Sequence, residues 1–316
     1  MSDANNPISG RLGRLIDFAL WPALMLAACL GLASGMERGS GPLAFNIVYL
    51  LLASVLFGLE KVRPHEPEWL ESDGQVGPDL THTLFTKIAV QVTVVSLTNF
   101  GIVQQLGARD GGTWWPEGAP GFVQVALGLV PVEFGLYWAH RVAHEWLPLW
   151  RFHAVHHSSK RLWFFNTGRF HFVDTLKSMV CATPLPVLAG APGDIIIWVS
   201  AITAFIGILT HCNVRMRFGW LNFVFNTPGL HRWHHSMDLR EGNKNYGENL
   251  VLWDLIFGTY FDDARRRPPA KIGIREAMPA TFFGQIAAPF SWRRHQSEPD
   301  KAEQETPAGS VGRGQN

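Results

Sequence analysis

The sequence predicts an all-α integral membrane protein: a bundle of about four transmembrane helices, a re-entrant helical hairpin and a cytosolic cap rich in histidine. Of the 316 residues, 47% are hydrophobic and only 17% are charged, whereas soluble domains carry roughly 25% charged residues. The apolar residues fall in segments near the length of about 20 residues that a membrane-spanning helix requires. Ten of the 13 histidines lie between residues 140 and 235, which sets that region apart from the apolar segments.

Four apolar segments precede residue 140, and each is predicted to span the membrane: residues 15–34, 43–59, 84–103 and 122–139. The third contains Lys87 and Gln91, whose polar ends are expected to face the bundle interior or reach the interface. Because Arg11 and Arg14 precede the first segment, a signal peptide is an alternative there. The further apolar segments that follow at once favour an uncleaved anchor.

A fifth apolar region covers residues 178–210 and is interrupted in its middle. Pro184, Pro186 and the sequence GAPGD at Gly190–Asp194 are incompatible with one continuous helix. We therefore expect a helical hairpin that dips into the membrane and returns to the same side. Two buried helices of a soluble core are the alternative.

The distribution of Lys and Arg predicts the orientation and the domain organisation, since cytoplasmic flanks are enriched in these residues. The flanks expected on the cytoplasmic side carry Arg11, Arg14, Lys61, Arg63, Arg141, Arg151, Lys160, Arg161 and Arg169. Residues 1–14 form a cytosolic N-terminal segment, 15–139 the transmembrane helices, and 140–262 the histidine-rich catalytic region with the hairpin 178–210. Residues 263–316 form a C-terminal extension whose polar tail, from Gln296, is expected to be disordered.

Composition also excludes several classes of protein. A net charge of +1 provides no basic field for nucleic acid. The three cysteines, Cys29, Cys181 and Cys212, form no CxxC motif, which argues against a disulfide framework or a cysteine zinc site. No glycine-rich phosphate loop is present.

The histidines follow an ordered spacing. His140 and His144 form H-x3-H, and the pattern H-x2-H-H occurs twice, at His153, His156 and His157 and at His231, His234 and His235. His171 and His211 stand alone. On a helix, residues i and i+4 share one face, so the outer histidines of each motif point to one place. Eight clustered imidazoles are too many for one tetrahedral ion, and two metal ions are the natural number.

Few carboxylates accompany these histidines, and this bears on the chemistry. The acids in the region are Glu145, Asp174 and Asp194; Glu145 is expected to support a neighbouring ligand, and Asp174 to orient His171. Because no carboxylate stands as in H-E-x-x-H, an oxygen-activating iron pair is favoured over a membrane zinc-dependent hydrolase. A non-catalytic metal- or haem-binding membrane protein and a transporter are further alternatives.

These motifs, with RFHFVDT (Arg169–Thr175), NTPGLHRWHHS (Asn226–Ser236), NKNYGENL (Asn243–Leu250) and WDLIFGTYF (Trp253–Phe261), resemble the fatty acid hydroxylase / sterol desaturase superfamily over roughly residues 80–262. The resemblance implies a membrane enzyme that hydroxylates or desaturates a lipid, whether sterol, fatty acyl or polar lipid, with two iron ions, O₂ and an external electron-transfer protein. It implies as catalytic metal ligands His140, His144, His153, His156, His157, His211, His231, His234 and His235.

One position departs from that pattern. In the acyl 2-hydroxylase branch a further histidine is expected four residues after His211, where this chain has Arg215. The departure favours the sterol-desaturase-like branch and leaves one ligand open, for which His171, Asn213 and water are candidates. A substrate tunnel is expected to run from the metal site down between the spans. Its candidate lining residues are aromatic, with core packing as the alternative for each: Trp138, Phe164, Phe165 and Trp233.

Overall fold

A computed structural model of the chain describes residues 10–99 and 114–292. The predicted disordered tail, the loop at 104–113 and the last residues of the third apolar segment, 100–103, lie outside the described residues. The described part is helical and contains no β-strand, only isolated bridges, as the sequence predicts.

Eight helices of the described part build the bundle and carry the first histidine motifs. They are α1 (Arg11–Glu37), α2 (Gly41–Val62), α3 (Val76–Asn99), α4 (Gly121–Glu145), α5 (Leu147–His157), α6 (Phe172–Ala182), α7 (Pro184–Leu188) and α8 (Gly193–His211). Four short helices follow: α9 (Pro228–His234), α10 (Leu239–Gly242), α11 (Leu252–Phe257) and α12 (Phe282–Ala287).

Four of the described helices are long and apolar enough to cross a membrane: α1, α2, α4 and α8. The number agrees with the sequence prediction, but the set differs. The third segment lies in α3, which is not among the four, because Thr81, His82, Thr86, Lys87 and Gln91 dilute its apolar surface. Its place is taken by α8, the second limb of the predicted hairpin.

The hairpin itself is interrupted where the prolines and glycines predict. Helix α6 ends at Ala182, α7 is a single short turn beginning at Pro184, and α8 starts after Pro192. Gly190, in this turn, has a positive φ of 84°, a conformation that glycine adopts without strain. The second limb is therefore a full-length apolar helix and not the short pass that the sequence suggests.

Helix α8 lies at the centre of the bundle. Its residues Phe205 and Leu209 pack with Leu32 of α1 and Leu56 of α2 in one buried apolar cluster. The other side of α8 joins a second cluster with α4, α6 and α7. The outer faces of α1 and α2 instead leave large apolar side chains exposed, including Leu26, Leu43 and Leu50. So much exposed apolar surface fits contact with lipid.

The cap is tied to one end of the bundle by buried polar contacts. Glu60, near the end of α2, accepts hydrogen bonds of 2.9 Å from the backbone N–H groups of Phe164 and Asn213. Arg63 pairs with Asp17 of α1 at 2.6 Å. Helix α4 carries His144 in its last turn, and α8 ends at His211. The start of α1 and the ends of α2, α4 and α8 therefore lie at the histidine-rich region.

Helices α4 and α6 approach closely at Gly135. A Cβ atom at this position would lie 2.1 Å from the backbone oxygen of Cys181. We predict that Gly135→Ala forces the helices apart and lowers the stability by about 1–3 kcal/mol, the usual cost of overpacking. The measurement is thermal unfolding of the detergent-purified protein. Gly58→Ala in α2, where a Cβ meets nothing within 4 Å, is the matched control and should not destabilise the protein; equal melting temperatures for the two variants would contradict the packing argument.

Candidate metal centre

Nine histidines converge into two groups, and within each group the ligand atoms lie within 4.8 Å of one another. The five-histidine group contains His140, His144, His153, His157 and His234, and the four-histidine group contains His156, His211, His231 and His235. Each H-x2-H-H motif is shared between the groups. Its outer pair, at i and i+4, stays on one side, while its middle histidine, on another face of the helix, joins the other group.

The spacing between ring nitrogens is that of ligands around a shared ion. The Nε2 atoms of His144 and His157 are 3.1 Å apart. The Nε2 atom of His231 lies 2.8 Å from that of His211 and 3.0 Å from that of His235. Two nitrogens bound at about 2.0–2.1 Å and roughly at right angles stand about 3 Å apart, so the geometry fits one metal ion in each group.

In five of the nine rings the outer nitrogen is held by an oxygen atom, which fixes the tautomer; the Nδ1 atoms of His156, His231 and His235 have no partner in the described part of the chain. Five Nδ1 atoms have such partners: His140 with Tyr246 O (2.8 Å), His144 with Asn243 Oδ1 (3.2 Å), His153 with Asp174 Oδ2 (2.8 Å), His211 with Asn166 Oδ1 (3.0 Å) and His234 with Lys244 O (2.7 Å). Because an oxygen acceptor requires Nδ1 to carry the proton, Nε2 keeps its lone pair for a metal.

Unpartnered buried nitrogens support the same conclusion. The Nε2 atoms of His140, His153 and His234 are buried and have no hydrogen-bond partner in the described part of the chain. An unpaired buried polar atom costs about 1–3 kcal/mol. A metal ion is the partner that would satisfy these inward lone pairs.

The imidazoles are also neutral, which is the form that binds a metal. Burial is the main cause of the lowered pKa of these rings, and for most of them the neighbouring histidines lower the pKa further. The pKa is lowered for His153, His156, His157, His231, His234 and His235, that of His234 to about 3. At neutral pH a proton therefore does not compete with a metal ion for the lone pair of any of these six rings.

Asp174 has a different partner from the one that the sequence suggests. Its Oδ2 accepts from His153, in the five-histidine group, and its Oδ1 pairs with Lys177 at 2.5 Å. Burial alone would raise the pKa of Asp174, but Lys177 and His153 outweigh burial and hold this pKa below its ordinary range. Asp174 therefore places a fixed negative charge behind a candidate ligand, and it does not orient His171.

The structure does not bring His171 to either group. Its Nδ1 accepts from the backbone N–H of Val173, which caps helix α6, and its Nε2 lies 3.1 Å from the carbonyl oxygen of Ile286. The Asn213 amide is also occupied, since it bonds twice to the backbone of Glu66 at 2.9 Å. Both candidates for the open ligand position are thus held by other contacts.

Two further side chains singled out by sequence lie elsewhere. Glu145 pairs with Arg141 at 2.9 Å on the surface and holds no histidine. Arg215, at the departing position, lies 3.4 Å from Asp17, at the junction of the cap with α1.

Several residues that support the groups were not identified from sequence. The backbone of residues 244–246 supplies two carbonyl acceptors, and Asp254 fixes this loop by accepting from the N–H groups of Tyr246 and Gly247, both at 2.8 Å. Asn245 adopts a positive φ of 55° there. The NKNYGENL motif contains these residues, but a role carried by backbone carbonyl oxygens has no signature in the side-chain sequence.

Arg169 connects the site to helix α3. Its buried guanidinium pairs with Asp79 at 2.5 Å and donates to the carbonyl of Val155 at 3.1 Å. Val155 lies within the first H-x2-H-H motif, on α5. This contact therefore fixes the histidine-bearing helix against the start of α3.

A cavity of about 490 Å³ extends from the histidines between α2, α3 and α8. His140, His156, His211 and His231 line one end, and apolar side chains line most of the remainder. Phe164 and Phe165 line this cavity as expected. Trp138 and Trp233 do not, because their rings pack on Phe257 and Phe261 at 5.1 and 5.2 Å.

Comparison with known proteins gives a consistent set of relatives. The profile of the fatty acid hydroxylase family matches residues 125–259. The ornithine lipid hydroxylase OlsE of Rhizobium tropici is 46% identical over 287 residues, which cover 90% of this chain and 86% of that protein. An alkylglycerol monooxygenase of Danio rerio is 31% identical over 58% of this chain, but this match covers only 38% of that longer protein. No solved structure matches the chain.

The partner of His153 provides a test of the metal centre. We predict that Asp174→Asn lowers metal affinity about 10- to 100-fold. The negative charge of Asp174 orients the His153 ring and raises the basicity of that ring, and the amide removes this charge. Competition with a chelator on purified protein measures this affinity. Glu145→Gln changes a carboxylate that touches no histidine and serves as the control. Equal affinities for the two variants would show that Asp174 does not support a ligand.

Proposed function

Because the chain belongs to the fatty acid hydroxylase family, we propose that its nine grouped histidines hold two iron ions and that it uses O₂ to hydroxylate a polar lipid. Its relatives are lipid hydroxylases and monooxygenases, and the chain is accordingly a membrane oxidoreductase that hydroxylates lipids. Of the two reactions left open by the sequence, hydroxylation and desaturation, these relatives support the first.

The observation that carries the proposal is the pair of histidine groups at one end of an apolar cavity. Imidazole nitrogen is a suitable ligand for iron, and no carboxylate belongs to either group in the described part of the chain. This ligand set lacks the carboxylate base that a zinc hydrolase uses. When bound, iron would supply the binding and reduction of O₂.

The chain's own residues position the ligands and the substrate. Oxygen acceptors such as Asp174 and the carbonyl of Tyr246 fix the ring orientations. The apolar walls of the cavity exclude water from the reacting carbon and accept the alkyl part of a lipid from the bilayer. An amino-acid-containing lipid of the ornithine lipid class is the proposed substrate, since the relative that covers most of this chain is an ornithine lipid hydroxylase.

We place the histidines on the cytoplasmic side of the membrane. The start of α1 and the end of α2 lie at the histidine end of the bundle, where Asp17 contacts Arg63. These two ends carry Arg11, Arg14 and Lys61, as cytoplasmic flanks do. The electrons come from an external protein, because the sequence has neither a cysteine quartet for an iron–sulfur cluster nor a dinucleotide fingerprint.

Single-ligand variants test the metal assignment. His157→Ala and His234→Ala, in the five-histidine group, should abolish hydroxylation and lower the iron content of purified protein while leaving membrane insertion largely unchanged. Iron per chain is measured by elemental analysis, and insertion by membrane fractionation. His65→Ala, outside both groups, should retain iron and activity. Full activity in either ligand variant would contradict the assignment.

Lipid mass spectrometry tests the reaction. Membranes containing the protein, supplied with ornithine lipid, O₂ and a reducing system, should accumulate a product heavier by one oxygen atom. Label from ¹⁸O₂ should appear in this product, and the product should not form without O₂. A lipid product that forms equally well without O₂ would instead support a zinc hydrolase.

A further inference from the structure

Two hydrogen-bond acceptors in the wall of the cavity have no partner among residues 10–99 and 114–292. The carboxylate of Glu248 lines both the large cavity and a neighbouring one of about 190 Å³, and no hydrogen bond or ion pair reaches it from the described residues. The Oδ1 atom of Asn226 is buried, lines the large cavity and is also unpartnered. The Asn226 amide donates to the carbonyl of Gly247 at 2.6 Å, which ties Asn226 to the backbone next to Glu248.

Two donors face the same cavity without an acceptor. The ammonium group of Lys87 lies 4.4 Å from the centre of the Tyr49 ring, and no anion among the described residues pairs with it. The Tyr49 hydroxyl is buried and has no partner in that part of the chain. Helices α3 and α2 supply these donors, whereas Asn226 lies just before α9 and Glu248 lies in the loop between α10 and α11.

Unpaired charges in an otherwise apolar wall are costly unless a ligand compensates them. Glu248 belongs to neither histidine group and so is not placed to bind the metal. Burial raises its pKa to about 7 against the opposing effect of the Lys177 ammonium, which is not close enough to form an ion pair; a cation bound directly beside Glu248 would favour the ionised form further. Acceptors in one part of the wall and donors in another match a ligand that carries both an ammonium and an anion.

We infer that the cavity recognises a zwitterionic amino-acid head group, with its ammonium on Glu248 and Asn226 and its carboxylate on Lys87 and Tyr49. This inference rests on the proposed function, because it names how the same cavity selects its lipid. Glu248 shares the cavity wall with His140, His156 and His231. The head group is therefore bound in the same cavity that the histidines line, and the alkyl chains occupy its apolar part.

Binding of defined lipids to the purified full-length protein tests the inference. The probes are ornithine lipid, its N-acetylated derivative without the ammonium, and its methyl ester without the carboxylate, each in detergent micelles. The wild-type protein should bind ornithine lipid about tenfold to a hundredfold more tightly than the acetylated lipid, the range of a charge-assisted hydrogen bond. Glu248→Gln should abolish most of this preference, and Lys87→Met should abolish the preference over the methyl ester.

Glu117→Gln, an exposed carboxylate outside the cavity, is the matched control and should keep the wild-type preferences. Phosphatidylethanolamine, which has an ammonium but a phosphodiester anion, separates the two sources of a zwitterion: binding as tight as that of ornithine lipid would overturn the carboxylate assignment. Equal preferences in Glu248→Gln and the wild-type protein would overturn the ammonium assignment.

Hydroxylation activity, measured in parallel, distinguishes a failure of this inference from a failure of the proposed function. If the wild-type protein hydroxylates lipids but Glu248→Gln discriminates between the amine and its acetylated form as before, the inference fails and the proposed function stands. If the wild-type protein binds with the predicted preferences but forms no oxygenated product, the proposed function fails and the recognition site stands. Iron content should be unchanged in both cavity variants, since neither residue belongs to a histidine group.

Discussion

The burial of nine neutral imidazoles in two tight groups is the constraint on which the rest of the structure depends. Each ring has two polar nitrogens, and for most of the rings both must be satisfied away from water. In the five-histidine group the solution is visible: Nδ1 atoms donate outward to carbonyl, carboxylate or amide oxygens, and Nε2 atoms converge inward. This arrangement leaves a set of converging lone pairs that a metal ion would satisfy, which is the physical basis of the proposed metal-dependent chemistry.

The architecture serves that constraint by bringing helix ends together. Helices α4 and α8 deliver histidines at their last turns, and α5 and α9 are short helices that each present one H-x2-H-H motif. Buried polar contacts hold these parts in register, among them the pairing of Arg169 with Asp79 and the hydrogen bonds that Glu60 accepts. The same long helices enclose the cavity that the histidines line, so the proposed metal centre and the proposed lipid site are parts of one assembly.

The sequence was most informative where local periodicity decides the structure. The H-x3-H and H-x2-H-H spacings predict that outer histidines pair on one helical face, and His153 with His157 and His231 with His235 do share a group. The break in the hairpin also follows from Pro184 and the glycines. Which histidines of separate helices share an ion depends on tertiary packing, and no spacing predicts that His156 joins His211.

The errors have the same physical origin. Asp174 stands three residues after His171, which suggested that the two interact, but His171 caps its own helix and Asp174 reaches across to α5. Glu145 follows a candidate ligand in sequence, yet it points to Arg141 on the surface. The interior position expected for Lys87 in the third apolar segment is, by contrast, confirmed, since Lys87 lines the cavity.

X-ray absorption at the iron edge on the purified, iron-loaded protein tests the central claim most directly. The account predicts about two iron ions per chain, a shell of light nitrogen or oxygen ligands near 2.1 Å, and the multiple-scattering pattern of several imidazoles on each ion. A spectrum dominated by sulfur or porphyrin ligands, or one without an imidazole contribution, would contradict the claim that the two histidine groups form the metal centre.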